Sequence, residues 1–312
     1  MNDLVDDSVT ALAVGVDVGA TTVKAAAVGA AGAIAAFAER PTPDSSAEID
    51  ECILDLVASL RDRCGPPLGL GVGTPGWTSA DRRHVIYSPN LPWRNDPIAD
   101  RLEQALQLPV VLENDANAAA WGEYRFGAGR DCTSIVLVTL GSGVGGAIVI
   151  DDTLIRGHHG CAGELGHALR ETNGRPCECG RRGCMENYVS GRALVRRAVE
   201  VLGPDADPHR AALDGDPRAV AVYAEFGEHL GRGLADDVML VNPQSVVIGG
   251  GVAVSFAQFA PAARRALDDE LGPNWRGIAP SIVVAQLGPD AGRIGVADLA
   301  RQNANDRGKE KA

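Results

Sequence analysis

Two strand-turn-strand segments that resemble each other constrain the fold of this 312-residue chain most strongly. The first begins at Ala11 with an apolar strand, a glycine-containing turn and a second strand, and a turn at 31–32 leads into a third strand at 33–39. The second has a strand at 134–140, a glycine-rich turn and a strand at 147–150. Each segment opens a stretch of mixed helices and strands. The repetition predicts a duplicated α/β fold of two lobes with a cleft between them.

The remaining elements follow from apolar periodicity and turn residues. Apolar side chains recur at helical spacing between Ala47 and Arg63, and helices dominate from Val189 to Met239. The polar tail from Gln302 to Ala312 is predicted to be disordered. The other predicted elements are strands at 68–73, 109–112, 245–248 and 282–285, and helices at 97–106, from 251 through 271, and at 289–303.

Length and charge limit the organisation of the chain and its partners. A single core stops growing at roughly 250–300 residues, so we expect two domains. They are a small α/β domain at 1–113, joined by the helix at 289–303, and a large domain at 114–288. The net charge of −12 provides no basic field for nucleic acid or anionic lipid. The first ten residues lack the basic character of a signal peptide, and no apolar run approaches the roughly 20 residues of a membrane span. We therefore expect a cytoplasmic protein with small-molecule partners.

Three glycine-containing turns are candidates for binding phosphate or nucleotide. Asp17 ends a strand and could hold hydrated magnesium, while small residues and hydroxyls just beyond it allow close approach of phosphate. The turn after the strand at 134–140 has the same capability, and a glycine triplet after the strand at 245–248 leaves room for a ribose or adenine. Each turn alone could equally be a plain tight turn. The candidates are Asp17, Gly19, Ala20, Thr21, Thr22, Lys24, Thr139, Gly141, Ser142, Gly143, Gly249, Gly250 and Gly251.

A carboxylate at a predicted strand-to-helix junction is the candidate catalytic base. The segment Glu113-Asn-Asp-Ala-Asn places Asp115 there, and a kinase needs such a group to orient the attacking hydroxyl and accept its proton. Asn114 or Asp115 could instead simply cap the helix. Asn90, in Ser-Pro-Asn-Leu-Pro-Trp, could form a turn or contact a sugar hydroxyl.

Three of the seven cysteines lie within eight residues and predict a metal site. Cys177, Cys179 and Cys184, together with His167, supply the four nitrogen and sulfur ligands that structural zinc prefers. A site closed by four protein ligands shapes a loop and does not activate water. The other four cysteines, Cys52, Cys64, Cys132 and Cys161, are predicted to be buried thiols.

Taken together, the segments 17–24, 113–123, 163–167 and 177–186 resemble the ROK family of bacterial sugar kinases and repressors, most closely its actinobacterial glucokinases. The resemblance covers about 12–301 and includes the closing Gly-Arg-Ile-Gly-Val-Ala-Asp-Leu-Ala segment. It implies an actin/hexokinase-like (ribonuclease H-like) fold with ATP and sugar in an interdomain cleft, and a homodimer or homotetramer. It also implies an ATP-dependent kinase acting on the 6-hydroxyl of glucose, with ATP, Mg²⁺ and structural Zn²⁺.

The resemblance also implies roles for individual residues. Asp115 corresponds to the catalytic base, and His167 would bind zinc through one nitrogen and a sugar hydroxyl through the other. The sugar-binding set is Asn90, Asn114, Asp115, Glu164, His167 and Glu186. The chain departs from the family pattern at Ala20, where glycine is usual, and at Thr22, where many glucokinases have lysine.

Several alternatives stay open. The substrate could be another hexose, an N-acetylated amino sugar or a carbocyclic sugar mimic, because the same polar groups recognise the shared hydroxyl pattern. Polyphosphate could replace ATP as donor. A non-catalytic sugar-binding protein or sugar-sensing repressor is a further alternative, although the phosphate motif begins at about residue 17 and leaves no room before it for a helix-turn-helix.

Overall fold

The structure is a computed structural model that describes residues 11–310. The chain packs into two compact units, each with its own core. The first unit contains the described residues up to 131, with 154–162 and the chain from 287 onward, and the second contains 132–153 and 163–286. The division of the chain at residue 113 stays a prediction.

Thirteen strands form two five-stranded sheets and one three-stranded sheet among the described residues. The sheet of the first unit has the order β3-β2-β1-β4-β8, and that of the second unit has the order β11-β10-β9-β12-β13, once the strands are numbered along the chain. The strands are β1 Ala13–Val18, β2 Thr22–Val28, β3 Ile34–Pro41, β4 Leu70–Thr74, β5 Trp77–Thr78, β6 Val85–Tyr87, β7 Arg94–Asp96, β8 Val110–Asn114, β9 Ser134–Leu140, β10 Val144–Ile150, β11 Thr153–Leu154, β12 Ser245–Gly249 and β13 Ser281–Val284.

Nine α-helices accompany the strands in the described part of the chain. They are α1 Ser46–Cys64, α2 Ile98–Leu106, α3 Asp115–Phe126, α4 Glu186–Val189, α5 Gly191–Leu202, α6 Pro208–Leu213, α7 Pro217–Val241, α8 Phe256–Leu271 and α9 Ala291–Glu310. Short 3-10 turns lie at Leu165–His167, Gly251–Ser255, Pro273–Trp275 and Gly288–Asp290. None of the helices within 11–310 combines the length and apolar character that a bilayer crossing requires.

The two five-stranded sheets have matching connectivity. In the first unit β1 pairs antiparallel with β2 and parallel with β4, which pairs parallel with β8. In the second unit β9 pairs antiparallel with β10 and parallel with β12, which pairs parallel with β13. The predicted recurrence of a hairpin that opens an α/β segment is therefore confirmed.

Local sequence explains why these helices begin and end where they do. Ser45 caps α1 by accepting a hydrogen bond from the Glu48 N–H, and Gly65 ends the helix with φ of 89°. The helix buries Ile49, Ile53, Leu56, Val57 and Leu60, the apolar positions that predict it. The spacing of about 3.6 residues per turn places these side chains on one face against the first core.

Glycine allows very close packing of α9 on the first sheet. A Cβ at Gly71 of β4 would overlap the Val296 carbonyl oxygen, and one at Gly295 would overlap the Ala118 carbonyl oxygen of α3. The second unit uses the same device between two helices, because a Cβ at Gly231 of α7 would overlap the Ala263 carbonyl oxygen of α8.

Three expectations from the sequence were wrong or incomplete. Residues 302–310 are helical and continue α9, and Arg307 donates a hydrogen bond of 2.6 Å to Glu103, so the disordered tail is not observed there. Residues 311–312 lie outside the described part. Cys52, Cys64, Cys132 and Cys161 are partly exposed, so they are not the buried thiols that were predicted. The sheet of β5, β6 and β7 was not predicted, because its strands have only two or three residues.

Candidate active site

The carboxyl ends of three parallel strands bring acidic side chains to one edge of the first sheet. Asp17 of β1 is in register with Gly73 of β4, which is in register with Glu113 of β8. Ligands of open α/β sheets bind outside the carboxyl ends of the strands. Burial raises the pKa of Asp17, and the positive charges of Lys24 and Arg293 partly oppose that increase. Because the Asp17 carboxylate is desolvated, binding of a cation beside it would be favourable.

The turn that follows Asp17 is compact and open to solvent. The Gly19 N–H donates to the Thr22 carbonyl at 3.0 Å, and the Thr42 hydroxyl donates to the Gly19 carbonyl at 2.7 Å. Ala20 and Thr21 are exposed at its tip. Ala20 does not have the positive φ that would require glycine, so the departure from the family pattern leaves the turn unstrained.

Glu113 is fully buried, and its carboxylate has a structural role. It accepts hydrogen bonds from Arg156 at 2.7 Å, from the Asn117 side chain at 3.0 Å and from the Asn114 N–H at 3.2 Å. A buried carboxylate is costly unless it is paired and hydrogen-bonded, and this one is both. The network fixes the end of β8 immediately before the candidate base.

Asn114 caps α3, as one of the two interpretations of this junction predicts. Its side-chain oxygen accepts from the N–H groups of Ala116 and Asn117 at 2.9 and 3.0 Å, while its Nδ2 donates to the Gly76 carbonyl at 3.0 Å. Asp115 is the exposed first residue of the helix, and its Oδ1 accepts from the Ala116 N–H at 2.9 Å. Asn114 provides the cap, and the exposed Asp115 carboxylate stays the candidate base.

The loop that carries Asn90 is built around one arginine. The Arg94 guanidinium donates to the carbonyls of Ser88, Leu91 and Trp93 at 2.6, 3.0 and 2.6 Å. The loop also approaches the Asn114 contact, because a Cβ at Gly76 would come 2.8 Å from the Ser88 Cα. Asn90 itself is exposed. The first unit thus brings together Asp17, the loop of Asn90, Asn114 and Asp115.

In the second unit, the glycine-rich turn between β9 and β10 lies beside the glycine triplet after β12. Thr139 is in register with Gly249, and a Cβ at Gly250, whose φ is 82°, would come 2.5 Å from the Leu140 carbonyl oxygen. The 3-10 turn from Gly251 to Ser255 follows. Thr139, Gly141, Ser142, Gly143, Gly249, Gly250 and Gly251 are therefore grouped within one unit.

Two contacts hold this second turn in place. The Gly191 N–H donates to the Gly141 carbonyl at 2.7 Å, and Arg192 donates to the Ser142 carbonyl at 2.7 Å. Glu186 accepts from the Val144 N–H at 2.9 Å, and a Cβ at Gly143 would overlap its carboxylate. Glu186, a candidate sugar-binding residue, is therefore in direct contact with the candidate phosphate turn.

The four predicted metal ligands converge. The ligand atoms of His167, Cys177, Cys179 and Cys184 all lie within 4.8 Å of one another. The Cys179 and Cys184 sulfurs are 3.6 Å apart, and the Cys177 sulfur is 3.7 Å from His167 Nδ1. A tetrahedron with Zn–S bonds of about 2.3 Å has edges of about 3.8 Å, so this group fits zinc.

The surroundings of the cysteines also bear on metal binding. Burial raises the pKa of the Cys184 thiol to about 12, and burial likewise raises the pKa of Cys177. Burial acts in the same direction on Cys179, but hydrogen bonding, including that from the Arg181 N–H, lowers the pKa of that thiol. Two thiols that resist ionisation become good ligands when a dication stabilises the thiolate.

The two ring nitrogens of His167 lie near different groups, as the predicted dual role requires. Its Nδ1 lies at the cysteines, whereas its Nε2 is 4.0 Å from the Glu164 carboxylate. The 3-10 turn Leu165–His167 fixes this geometry, because the His167 N–H donates to the Glu164 carbonyl at 3.0 Å. Glu164 and His167 thus form a pair of polar groups next to the metal-ligand cluster.

Sequence reasoning missed several residues that position this machinery. Arg94, Arg156 and Arg192 hold the Asn90 loop, the end of β8 and the second turn, respectively. Thr42 holds the first turn, and Arg293 influences the charge on Asp17. No local motif marks them. Arg94 alone has a signal, because it directly follows the Ser-Pro-Asn-Leu-Pro-Trp segment.

The family model of the ROK family matches residues 13–303. The chain belongs to the ROK family. A glucokinase from Streptomyces coelicolor is 40% identical, with 93% of this chain and 98% of the relative covered. Two solved ROK structures are similar to this protein in three dimensions over nearly the whole chain.

A ROK family glucokinase from Streptomyces griseus, solved in complex with glucose and AMPPNP, has a TM-score of 0.81 and 39% identity, covering 93% of this chain and 99% of that one. A ROK hexokinase from Thermus thermophilus has a TM-score of 0.82 and 33% identity, covering 95% and 99%. These ROK structures confirm the predicted actin/hexokinase-like α/β fold.

Proposed function

We propose that this ROK protein is an ATP-dependent glucokinase that transfers the γ-phosphoryl group of ATP to the 6-hydroxyl of glucose. The observation that carries the proposal is the Asp115 carboxylate, exposed at the start of α3 while Asn114 provides the cap. Asp115 begins a helix at the same sheet edge that carries Asp17. The similarity to glucokinases across nearly the whole chain supports the same substrate class.

In the proposed reaction, Asp115 orients the sugar hydroxyl and accepts its proton as the hydroxyl oxygen attacks the γ-phosphorus. The bond between the γ-phosphorus and the β,γ-bridging oxygen breaks, and ADP leaves with that electron pair. Asn90, Asn114, Glu164, His167 and Glu186 bind the sugar hydroxyls. Asp17 would hold hydrated Mg²⁺, which would neutralise charge on the transferred group.

The nucleotide-binding groups in this proposal are the two hairpin turns and the glycine triplet. Backbone N–H groups and hydroxyls donate to phosphate oxygens, and the absence of side chains leaves space for the ribose or adenine. The residues proposed for this role are Asp17, Gly19, Ala20, Thr21, Thr22, Lys24, Thr139, Gly141, Ser142, Gly143, Gly249, Gly250 and Gly251.

Zinc has a structural role in the proposal, held by His167, Cys177, Cys179 and Cys184. It would fix the loop that precedes Glu186 without activating water. Metal analysis of protein purified without chelator should give about one zinc per chain, and Cys179→Ser should lower both zinc content and melting temperature. Wild-type stability of a zinc-free Cys179→Ser protein would contradict this role.

The test of function is a coupled ADP-release assay with magnesium ATP and a panel of sugars. The panel contains glucose, mannose, fructose, N-acetylglucosamine, N-acetylmannosamine and a carbocyclic hexose analogue, and polyphosphate replaces ATP in a parallel series. Fastest turnover with glucose and ATP is expected. Preference for another sugar or for polyphosphate would retain the mechanism and change the substrate, whereas saturable sugar binding without turnover would favour the repressor or sugar-binding alternative.

We further propose a cytoplasmic location, because a kinase that consumes ATP is expected where ATP is made. The resemblance to the ROK family supports a homodimer or homotetramer. Light scattering of the purified protein measures its assembly state. A monomer at micromolar concentration would contradict the proposed assembly without affecting the proposed reaction.

A further inference from the structure

A cavity of about 680 Å³ opens in the second unit between the segment 171–188 and helices α5 and α7. Its apolar wall contains Leu194, Val222 and Phe226. None of the residues that line it belongs to the sets proposed above for sugar, nucleotide or zinc. The volume lies within the roughly 300–1,000 Å³ of small-molecule sites.

Three arginines without ion pairs surround this cavity. Among residues 11–310, no carboxylate lies within ion-pair distance of the guanidinium groups of Arg175, Arg182 or Arg196. Arg197 is different, because it pairs with Glu225 at 2.9 Å and Glu200 at 3.2 Å. Of the two carboxylates in the described lining, Glu225 pairs with Arg197, and Glu171 is the other. The cavity therefore has an excess of positive charge.

The positive charges also repel one another. Burial and then the charge of Arg175 lower the pKa of Arg196, and the charge of Glu200 partly opposes that decrease. The Arg196 guanidinium donates to the Asn187 carbonyl at 2.6 Å. The Arg175 guanidinium lies 5.8 Å from the centre of the Tyr188 ring. An anion that binds both arginines would relieve this repulsion, and arginine forks suit a phosphate group.

An aromatic pair and two unsatisfied polar atoms complete the lining. The rings of Tyr188 and His229 lie 5.0 Å apart at an angle of 35°. His229 Nδ1 and Asn187 Nδ2 are buried and have no hydrogen-bond partner. Burial and the charge of Arg170 lower the pKa of His229, so the ring is neutral and can stack on a flat group. Buried polar atoms without partners are uncommon in folded proteins and indicate a missing ligand or water.

We propose that this cavity binds a small phosphate monoester with a flat ring as its body. The phosphate contacts Arg175, Arg182 and Arg196, and the ring lies along the apolar wall and the Tyr188–His229 pair. Asn187 and Tyr188 belong to α4, which begins at Glu186. Resting on the proposed function, we therefore expect the bound ester to change the KM for the sugar.

Phenyl phosphate is the probe, titrated calorimetrically into full-length protein without sugar or nucleotide, at constant ionic strength. One saturable site is expected in the wild type. Arg175→Gln combined with Arg196→Gln should weaken binding at least about tenfold, because each arginine contributes a charge-assisted hydrogen bond. Arg210→Gln is the matched control and should leave binding unchanged, since Arg210 of α6 pairs with Asp214 and does not line the cavity.

Arg182→Gln keeps the test valid if the double variant does not fold, because Arg182 is exposed and its loss disturbs no core contact. Absence of saturable binding in the wild type, or wild-type affinity in both Arg182→Gln and the double variant, would overturn the proposal. Loss of binding together with dissociation of an oligomer, measured by light scattering, would also overturn it and identify the cavity as a subunit contact. Binding is measured without turnover, so a failure of the kinase proposal leaves this result interpretable.

Discussion

The two five-stranded sheets share one connectivity but differ in chemistry at equivalent positions. Asp17 is the next-to-last residue of β1 and lies opposite Lys24 and beside Gly73. Thr139 is the next-to-last residue of β9 and lies opposite Gly145 and beside Gly249. The first unit thus places a carboxylate where the second places a hydroxyl. The glycine on the neighbouring strand is the same in both.

The ends of the next strands extend this difference. β8 ends in Glu113 and Asn114 and leads directly into Asp115, but β13 ends at Val284 in the second unit. At the ends of these strands, the duplicated scaffold therefore carries carboxylates in the first unit and small residues with backbone donors in the second. A phosphoryl transfer needs both kinds of group. Carboxylates can act as the base and bind the cation, whereas backbone N–H groups donate to the phosphate oxygens.

The largest effect is expected from Asp115→Asn. This change removes the carboxylate that follows β8, for which the end of β13 has no counterpart. We expect kcat for glucose phosphorylation to fall by about 10²- to 10⁴-fold, because general-base catalysis contributes that much. The melting temperature should stay near that of the wild type, since Asn114 provides the helix cap. Asp100→Asn on α2 is the control for charge. Near-normal turnover of a folded Asp115→Asn protein would contradict the assigned base.

Asp17→Asn should separate activity from stability. We expect the apparent affinity for Mg²⁺ to fall by about 10- to 100-fold, as for other groups that position metals. Thr139→Val, the equivalent change in the second unit, should alter the Mg²⁺ dependence far less. The measurement is the initial rate against Mg²⁺ concentration at fixed ATP.

Asp17→Asn should increase the free energy of unfolding at pH 7, although it lowers the affinity for Mg²⁺. Burial raises the pKa of Asp17 in the folded protein above its usual value near 3.8, so the folded state binds the proton more tightly than the unfolded state. Wild-type stability therefore falls as pH rises from about 4 through the raised pKa. Asp17→Asn should unfold at higher urea than the wild type at pH 7, with no difference below pH 4. A loss of stability at pH 7 would contradict the direction of the shift.

Glycine substitutions test whether close packing differs between the units. Gly295→Ala should destabilise the first unit by about 1–3 kcal/mol, because the added methyl overlaps the Ala118 carbonyl, and Gly231→Ala should do the same in the second. Gly308→Ala is the matched control on α9, where a Cβ meets nothing within 4 Å. It should stabilise the helix by about 0.5–1 kcal/mol. Urea unfolding measures all three, and equal effects at Gly295 and Gly308 would refute the packing argument.

The smallest effect is expected at the tip of the first hairpin. Ala20→Gly restores the residue usual in the ROK pattern, but Ala20 is exposed and does not have positive φ. We expect kcat/KM to change by less than about threefold, as for other surface substitutions. A tenfold or larger rise in the same coupled assay would show that the extra methyl restricts the phosphate turn.

Much of the fold follows from local patterns. The helix α1 and the hairpins beginning at Ala13 and Ser134 have strong apolar periodicity, and their predicted limits differ from the observed ones by at most three residues. The β5–β7 sheet has no such signal, because two- and three-residue strands contain too few positions to establish a period. The C-terminal extension of α9 was missed because Arg307 is held by a distant partner, Glu103.

The metal-ligand cluster illustrates what close spacing can establish. Cys177, Cys179 and Cys184 lie within eight residues, with left-handed glycines at 180 and 183 that bend the chain, so few conformations are available to them. The convergence of these cysteines with His167 was predictable for that reason. The Arg156–Glu113 pair joins residues 43 positions apart, and nothing in either local sequence indicates it.

The sequence by itself determined the duplicated strand-turn-strand pattern and the clustering of three cysteines with His167, and it predicted the candidate base, because each depends on residue types close together in the chain. Tertiary structure alone decided that Asn114 caps α3, that Glu186 contacts the Val144 N–H and that three arginines converge without ion pairs on one cavity. The physical reason is range: turn geometry and ligand spacing are local properties, whereas hydrogen-bond partners and uncompensated charges depend on which distant segments pack together.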